Sequence, residues 1–73
     1  MMVDVNKLAG KMTEKRISVQ EMAKQLGLDR ATMYRRLKGD GGNITIREAN
    51  AICRVLNLSY SEVMAIFFAQ YVA

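Results

Sequence analysis

Apolar residues recur along the chain at intervals of three and four, and no stretch alternates with period two for long enough to build a sheet. The pattern predicts short helices throughout. Val5, Leu8, Ala9 and Met12 make the first stripe, one face of a helix that Asp4 caps and that runs to about Lys15. Ser18 followed by Glu21 has the spacing of a capping box, which predicts a second helix over residues 19–26; Gly27 ends it and Leu28 plugs the turn. Asp29 caps a third helix, expected to stop at Gly39. The run Gly39-Asp40-Gly41-Gly42-Asn43 is turn chemistry and predicts a loop. Thr45 with Glu48 and Ser59 with Glu62 repeat the box. They give a fourth helix with Ala49, Ile52, Val55 and Leu56 inward and a fifth with Tyr60, Val63, Met64 and Phe67 inward. The expectation is an all-α, compact five-helix fold, a single domain over residues 1–73 without repeats or low-complexity tracts.

The 73-residue length allows one core, and a chain this short hides only about 60% of the surface it exposes when unfolded. With 51% apolar and 25% charged residues the composition is that of a folding domain, not of a disordered tail. The longest apolar run, Val63 to Ala69, is far below the roughly 20 residues of a spanning helix. The N-terminal residues lack the apolar core of a signal peptide, so no secretory leader is expected. A soluble, cytoplasmic protein with no membrane association is the expectation.

Candidate chemistry is sparse. The chain has no histidine, which removes the commonest general base and the commonest metal ligand together. Cys53 is the only cysteine and lies at helical spacing from Ala49 and Leu56, as an inert core thiol would. The reading is therefore not an enzyme, with no cofactor, no metal and no small-molecule ligand. Charge says more. The net +4 is concentrated in Arg30, Arg35, Arg36, Lys38 and Arg47, opposed in that stretch only by Asp40, whereas after Arg54 the only charged side chain is Glu62. A cationic middle of this kind attracts polyanions, and phosphate neutralisation supplies most non-specific DNA affinity.

Gly27-Leu28-Asp29 is the short glycine-containing connection of a helix-turn-helix, spanning residues 18–39. Ala23 is small where the two helices must approach, and Met22, Leu26, Leu28 and Met33 are apolar at their contact. Any small bundle could show the glycine and the alanine. The basic helix that follows, Asp29 to Lys38, narrows the reading to one that enters the major groove of DNA.

These residues also carry a family likeness. The stretch from Ile17 to Thr32 resembles the helix-turn-helix of the Cro/CI-type (XRE) phage repressors, and Ile52-x-x-Val55-Leu56-Asn57-Leu58-Ser59 resembles their fourth helix and the turn into the fifth. Met33-Tyr34-Arg35-Arg36-Leu37-Lys38-Gly39 and the ending Ile66-Phe67-Phe68-Ala69 are similar to those of short Cro-like regulators from phages and prophages of Gram-positive bacteria. The likeness covers roughly residues 5–66. It implies a lambda-repressor-like fold and DNA binding. Two positions depart from the family pattern: Val19 stands where many relatives place a phosphate-clamping glutamine, with Gln20 next. An arginine, Arg36, stands where an aliphatic residue is usual, with the apolar Leu37 one step later.

On a helical wheel Met33 and Leu37 mark the buried face of the third helix, so Arg30, Ala31, Thr32 and Arg35 are the candidate base readers. An arginine fork meets guanine O6 and N7 together, and Ala31 or the Thr32 methyl can lie against a thymine methyl. Ser18, Gln20, Tyr34, Arg36, Lys38, Asn43 and Thr45 are the candidate contacts to the DNA backbone, with the amides opening the fourth helix as an anion site. Arg36 lies toward the core edge and reads as a snorkelling residue or a phosphate contact. Lys7, Lys11 and Lys15 read as a water-facing stripe.

From Val63 onward the chain is apolar on every side of a helix, over residues 63–73. Either Ile66, Phe68, Tyr71 and Val72 fold back on the core, or they form a patch on a second copy. The dimer is preferred, because two recognition helices one DNA turn apart suit an inverted-repeat operator in double-stranded DNA. The functional expectation is a sequence-specific transcriptional regulator, a Cro-like phage or prophage repressor acting by operator occupancy. The alternative is a protein-interaction module, an antirepressor or antitoxin, that keeps the helix-turn-helix scaffold.

Overall fold

The structure, a computed structural model, describes residues 2–71. Five helices follow one another: α1 (Val5–Glu14), α2 (Val19–Leu26), α3 (Arg30–Arg36), α4 (Ile46–Leu56) and α5 (Tyr60–Phe67), with a 3-10 turn at Ala69–Tyr71. No strand occurs among the described residues. The radius of gyration, 11.1 Å, is what a compact chain of this length gives. None of the helices is long and apolar enough to cross a membrane.

Each helix begins at a polar side chain that takes an otherwise orphaned amide. Asp4 accepts from the Lys7 amide at 3.0 Å, and Ser18, Asp29, Thr45 and Ser59 do the same three residues ahead at 3.0, 3.2, 3.0 and 3.2 Å. The reciprocal bond that completes a capping box is present at Thr45/Glu48 and Ser59/Glu62. At Ser18 it is not made, contrary to the spacing: the Glu21 carboxylate instead accepts from Gln25, one turn along its own helix. Helix α3 is also shorter than expected. Its last turn tightens, the Leu37 amide being shared between Met33 and Tyr34 carbonyls and the Lys38 amide bonding back to Arg35, so regular α-geometry ends at Arg36.

One side chain or more from every helix meets in the core, where Leu8, Met22, Met33, Ile52, Leu56 and Ile66 are almost wholly shielded from solvent. Ala49, Cys53, Val55 and Val63 pack against them from the rim. Three expectations are corrected. Ala9 is exposed on the flank of α1, and Tyr60, expected inward, is 80% exposed because it opens α5 on the outer side. Ile66, expected in a patch on a second copy, is 2% exposed, because the α5 stripe that seals the core runs through Ile66 and Phe67.

The chain start ties the layers together. The Val3 amide donates to the Asp40 carbonyl at 2.7 Å and the Asp4 amide to the Ile66 carbonyl at 2.8 Å, so one extended segment joins the loop after α3 to the end of α5. Gly41 makes this possible. It sits at φ +69°, and a β-carbon on it would stand 2.7 Å from Val3 Cβ. Helix α1 is further held to α5 by an ion pair between Lys11 and Glu62. The Lys11 hydrogen bond, and after it those with Ser59, push the Glu62 carboxyl down to about 2.

Two outcomes follow. Gly41→Ala combines a left-handed backbone with a real overlap and should lower stability by roughly 2–4 kcal/mol. Gly39→Ala, at φ +65° but facing open space, should cost only about 1–2 kcal/mol; urea denaturation of both variants measures the difference. Because Glu62 has a folded value below its ordinary 4.5, its contribution is complete above pH 4.5 and is lost as the pH falls towards about 2. Glu62→Gln should therefore be less stable than the parent at neutral pH and indistinguishable from it near pH 2, as read by melting temperature across that range.

Candidate nucleic-acid interface

The connection between α2 and α3 is built as its residues require. Gly27 takes φ +71°, the left-handed conformation that ends α2, and the following Leu28 amide donates to the Ala23 carbonyl at 2.9 Å. Leu28 is half-buried against the core, and Asp29, in extended backbone, caps α3. Its carboxyl is held below the usual range by hydrogen bonding with Thr32, first through the side chain and then through the amide, and by the nearby Arg35 charge. Ala23, 3% exposed, lies on the packed face of α2, with Met22 and Met33 fully buried beside it. This contact sets α3 across α2 with one face inward and the other in solvent.

The outward face holds Arg30, Ala31, Tyr34 and Arg35, all exposed, with Thr32 half-buried at its edge. Both of its arginines are braced by neighbours on their own helix. The Arg30 guanidinium lies over the Tyr34 ring, 5.6 Å from the centroid, and Arg35 Nη2 donates to Thr32 Oγ1 at 3.0 Å. The Thr32 hydroxyl is thus engaged within the helix, while its methyl and the Ala31 methyl remain the apolar features of this face.

The residues expected against the DNA backbone separate into groups. Gln20 lies with Lys24, Leu28 and Arg30 along one open concavity of about 440 Å³ between α2 and the start of α3. Lys38 and Asn43 are exposed in the turn and loop beyond α3, and Tyr34 is 45% exposed under Arg30. Ser18 is engaged as a cap. Thr45 is engaged in the capping box its spacing predicts, its amide donating to Glu48 Oε1 at 3.1 Å and its hydroxyl accepting from the Glu48 amide. The opening of α4 is partly filled from within.

Arg36 stands at the edge of the core, as expected, and has a partner there that its sequence position did not reveal: it turns to α4, where its Nε donates to Glu48 Oε1 at 2.9 Å, with the two side chains 25% and 12% exposed. Burial alone would raise the Glu48 carboxyl, but hydrogen bonds from Arg36 and the Thr45 amide outweigh it and hold the group below its ordinary value. One exposed cation near the expected surface was not singled out by the sequence: Lys24 sits one turn beyond Gln20 on α2, a spacing that could have revealed it. Arg47, counted in the cationic stretch, is exposed in the first turn of α4 beside the groove between α4 and α5. On the far side Lys11 is paired with Glu14 and Glu62, and Lys15 reaches the Asn57 carbonyl at 3.5 Å.

Of the residues expected at a dimer contact, Ile66 is in the core, Phe68 is 40% and Tyr71 75% exposed, and Val72 lies outside the described residues. Phe68 borders an apolar groove of about 620 Å³ between α4 and α5, lined also by Ala49, Cys53, Val63 and Phe67, with Ile46 at 81% exposure on its edge. Burial raises the Cys53 thiol above its ordinary value, as expected of an unreactive thiol.

In comparison with protein families, the model described as the Cro/C1-type HTH DNA-binding domain matches residues 7–68. That range takes in all five helices except the first two residues of α1. Comparisons with curated proteins and with solved structures brought no match.

Proposed function

We propose that this chain, which belongs to the Cro/C1-type helix-turn-helix DNA-binding domain family, is a sequence-specific transcriptional repressor, Cro-like and of phage or prophage type. It acts in the cytoplasm, where it occupies an operator and excludes polymerase. The observation that carries this reading is the pair of braced, exposed guanidinium groups, Arg30 and Arg35, on the one face of α3 that the core leaves free. Bracing favours readout, because an arginine already held in place loses less freedom when its fork meets a guanine edge. Ala31 and the Thr32 methyl supply contacts suited to thymine. Gln20, Lys24, Tyr34, Lys38 and Asn43 flank that face with groups suited to phosphates. No cofactor or small-molecule ligand enters this mechanism.

The protein works as a homodimer on an inverted repeat. The support is the apolar groove between α4 and α5, whose rim residues Ile46 and Phe68 are open to solvent on a chain with little surface to spare. Covering that groove with a second copy would pair two recognition helices for half-sites one turn apart.

The reading predicts a split between two variants. Arg35→Ala should lose roughly 1–3 kcal/mol on sites selected from a random duplex pool and little on random DNA, relaxing preference. Lys38→Ala should weaken both alike and flatten the slope of log affinity against log salt by about one unit. An equal loss on both duplexes for Arg35→Ala sinks its reader role, and a wild-type protein with no salt-dependent duplex binding favours an interaction module instead. Sedimentation tests the dimer: Ile46→Lys with Phe68→Asp should leave the fold intact, as read by circular dichroism, and shift the mass to that of a monomer. An unchanged mass places the interface elsewhere.

A further inference from the structure

Arg36 and Glu48 raise a question that the DNA-facing residues do not answer, which is what fixes the angle at which α3 leaves the body of the protein. Helix α3 packs extensively only on α2, and α4 packs on α2 independently; α3 and α4 share little backbone contact of their own. The chain between them runs through Gly39, Gly41 and Gly42, a loop held at Asp40 by the Val3 amide, which anchors the chain beyond α3 without fixing the rotation of the helix itself. Among the described residues, the Arg36–Glu48 bond is the only side-chain hydrogen bond that α3 makes to another element.

Its chemistry is specific. Arg36 and Leu37 stand three and four residues after Met33, so both face inward at the end of α3. Leu37 joins the core, while a charge at Arg36 needs a partner that shares its half-buried site. Glu48 supplies it with the same oxygen that receives the Thr45 amide, so the end of one helix and the first turn of the other converge on one atom, Oε1. Rotating α3 about its contact with α2 would break this bond at a site that water only partly reaches.

We infer that Arg36 and Glu48 are positioning residues for DNA recognition: their bond locks the end of α3 to the start of α4 and thereby sets the angle at which Arg30 and Arg35 meet the bases. This rests on the DNA-binding reading above. Arg36 acts through α3, not by touching phosphate. Loss of the pair lets α3 sample several angles, which lowers affinity for the correct site while leaving the non-specific electrostatic attraction intact.

The test uses the full chain with Arg36→Met, which keeps an apolar stem, Glu48→Gln, which keeps an oxygen for the Thr45 amide, and the double variant. Circular dichroism first establishes that each is folded at the assay temperature. Each single variant should bind the selected duplex roughly 3- to 30-fold more weakly, with random-duplex affinity and salt slope unchanged. The double variant should lose no more than Arg36→Met alone, since Glu48→Gln takes away only the charge of an acceptor whose donor Arg36→Met has already removed. Losses equal on both duplexes with a slope flatter by about one unit make Arg36 a phosphate contact and overturn the inference. Unchanged affinity on both duplexes overturns it too. A readout without DNA separates this failure from failure of the DNA-binding reading. The Arg36 Nε–H resonance of the free protein should be distinct from those of exposed arginines and should move when Glu48 is replaced by Gln; an Arg36 signal indifferent to that change refutes the lock even if no duplex binds.

Discussion

Everything the outer face of α3 can do depends on how closely α3 approaches α2, and that approach depends on small and flexible side chains. Ala23 allows the two backbones to come near, while the unbranched Met22 and Met33 fill the irregular space between crossing helices. A larger residue at Ala23 would push the helices apart and tilt the outer face of α3 with them. The same two methionines belong to the cluster that includes Ile52 and Leu56, so α3 is seated on the shared core rather than on a separate pad.

Around this contact, polar interactions decide direction more than stability. The Lys11–Glu62 pair joins α1 to α5 at a partly exposed site, where solvent screening keeps the energy small. The Arg36–Glu48 pair is more sheltered and links elements that otherwise scarcely touch. Meanwhile the extended start of the chain, through the Val3 and Asp4 amides, binds the loop after α3 to the end of α5. The fold thus restrains the loop beyond α3 from one side by backbone and the helix itself from another by charge.

The elements were legible because each helix announces its beginning with a cap whose chemistry is local. Asp4, Ser18, Asp29, Thr45 and Ser59 needed no tertiary information to be found. Where the reading failed, the deciding interaction was remote or geometric. The end of α3 at Arg36 depended on a tightened last turn that Gly39, three residues farther on, did not reveal. The fate of Arg36 depended on Glu48, which is twelve residues away and already had a role as a capping residue. Ile66 and Tyr60 could not be sorted because α5 is apolar on nearly every side, and periodicity carries no signal when almost every position qualifies. The exposure of Arg30, Ala31, Tyr34 and Arg35 on one face followed from the wheel, and Lys24 was open to the same reasoning from its spacing to Gln20, but the internal bracing required coordinates.

That bracing has a consequence for how such a protein can change. Arg30 with Tyr34 and Thr32 with Arg35 are pairs formed within one turn of one helix, and neither draws on the core. Exchanges on this face therefore carry little penalty for folding, in the usual range for exposed positions of about half a kcal/mol either way. If this face reads bases as proposed, the sequence recognised can change through a few outward residues, two at a time, while Met33 within the seven-residue helix and Leu37 at its C-cap stay under the constraint of packing. On that reading recognition and architecture lie on opposite faces of α3, and a change in one need not disturb the other.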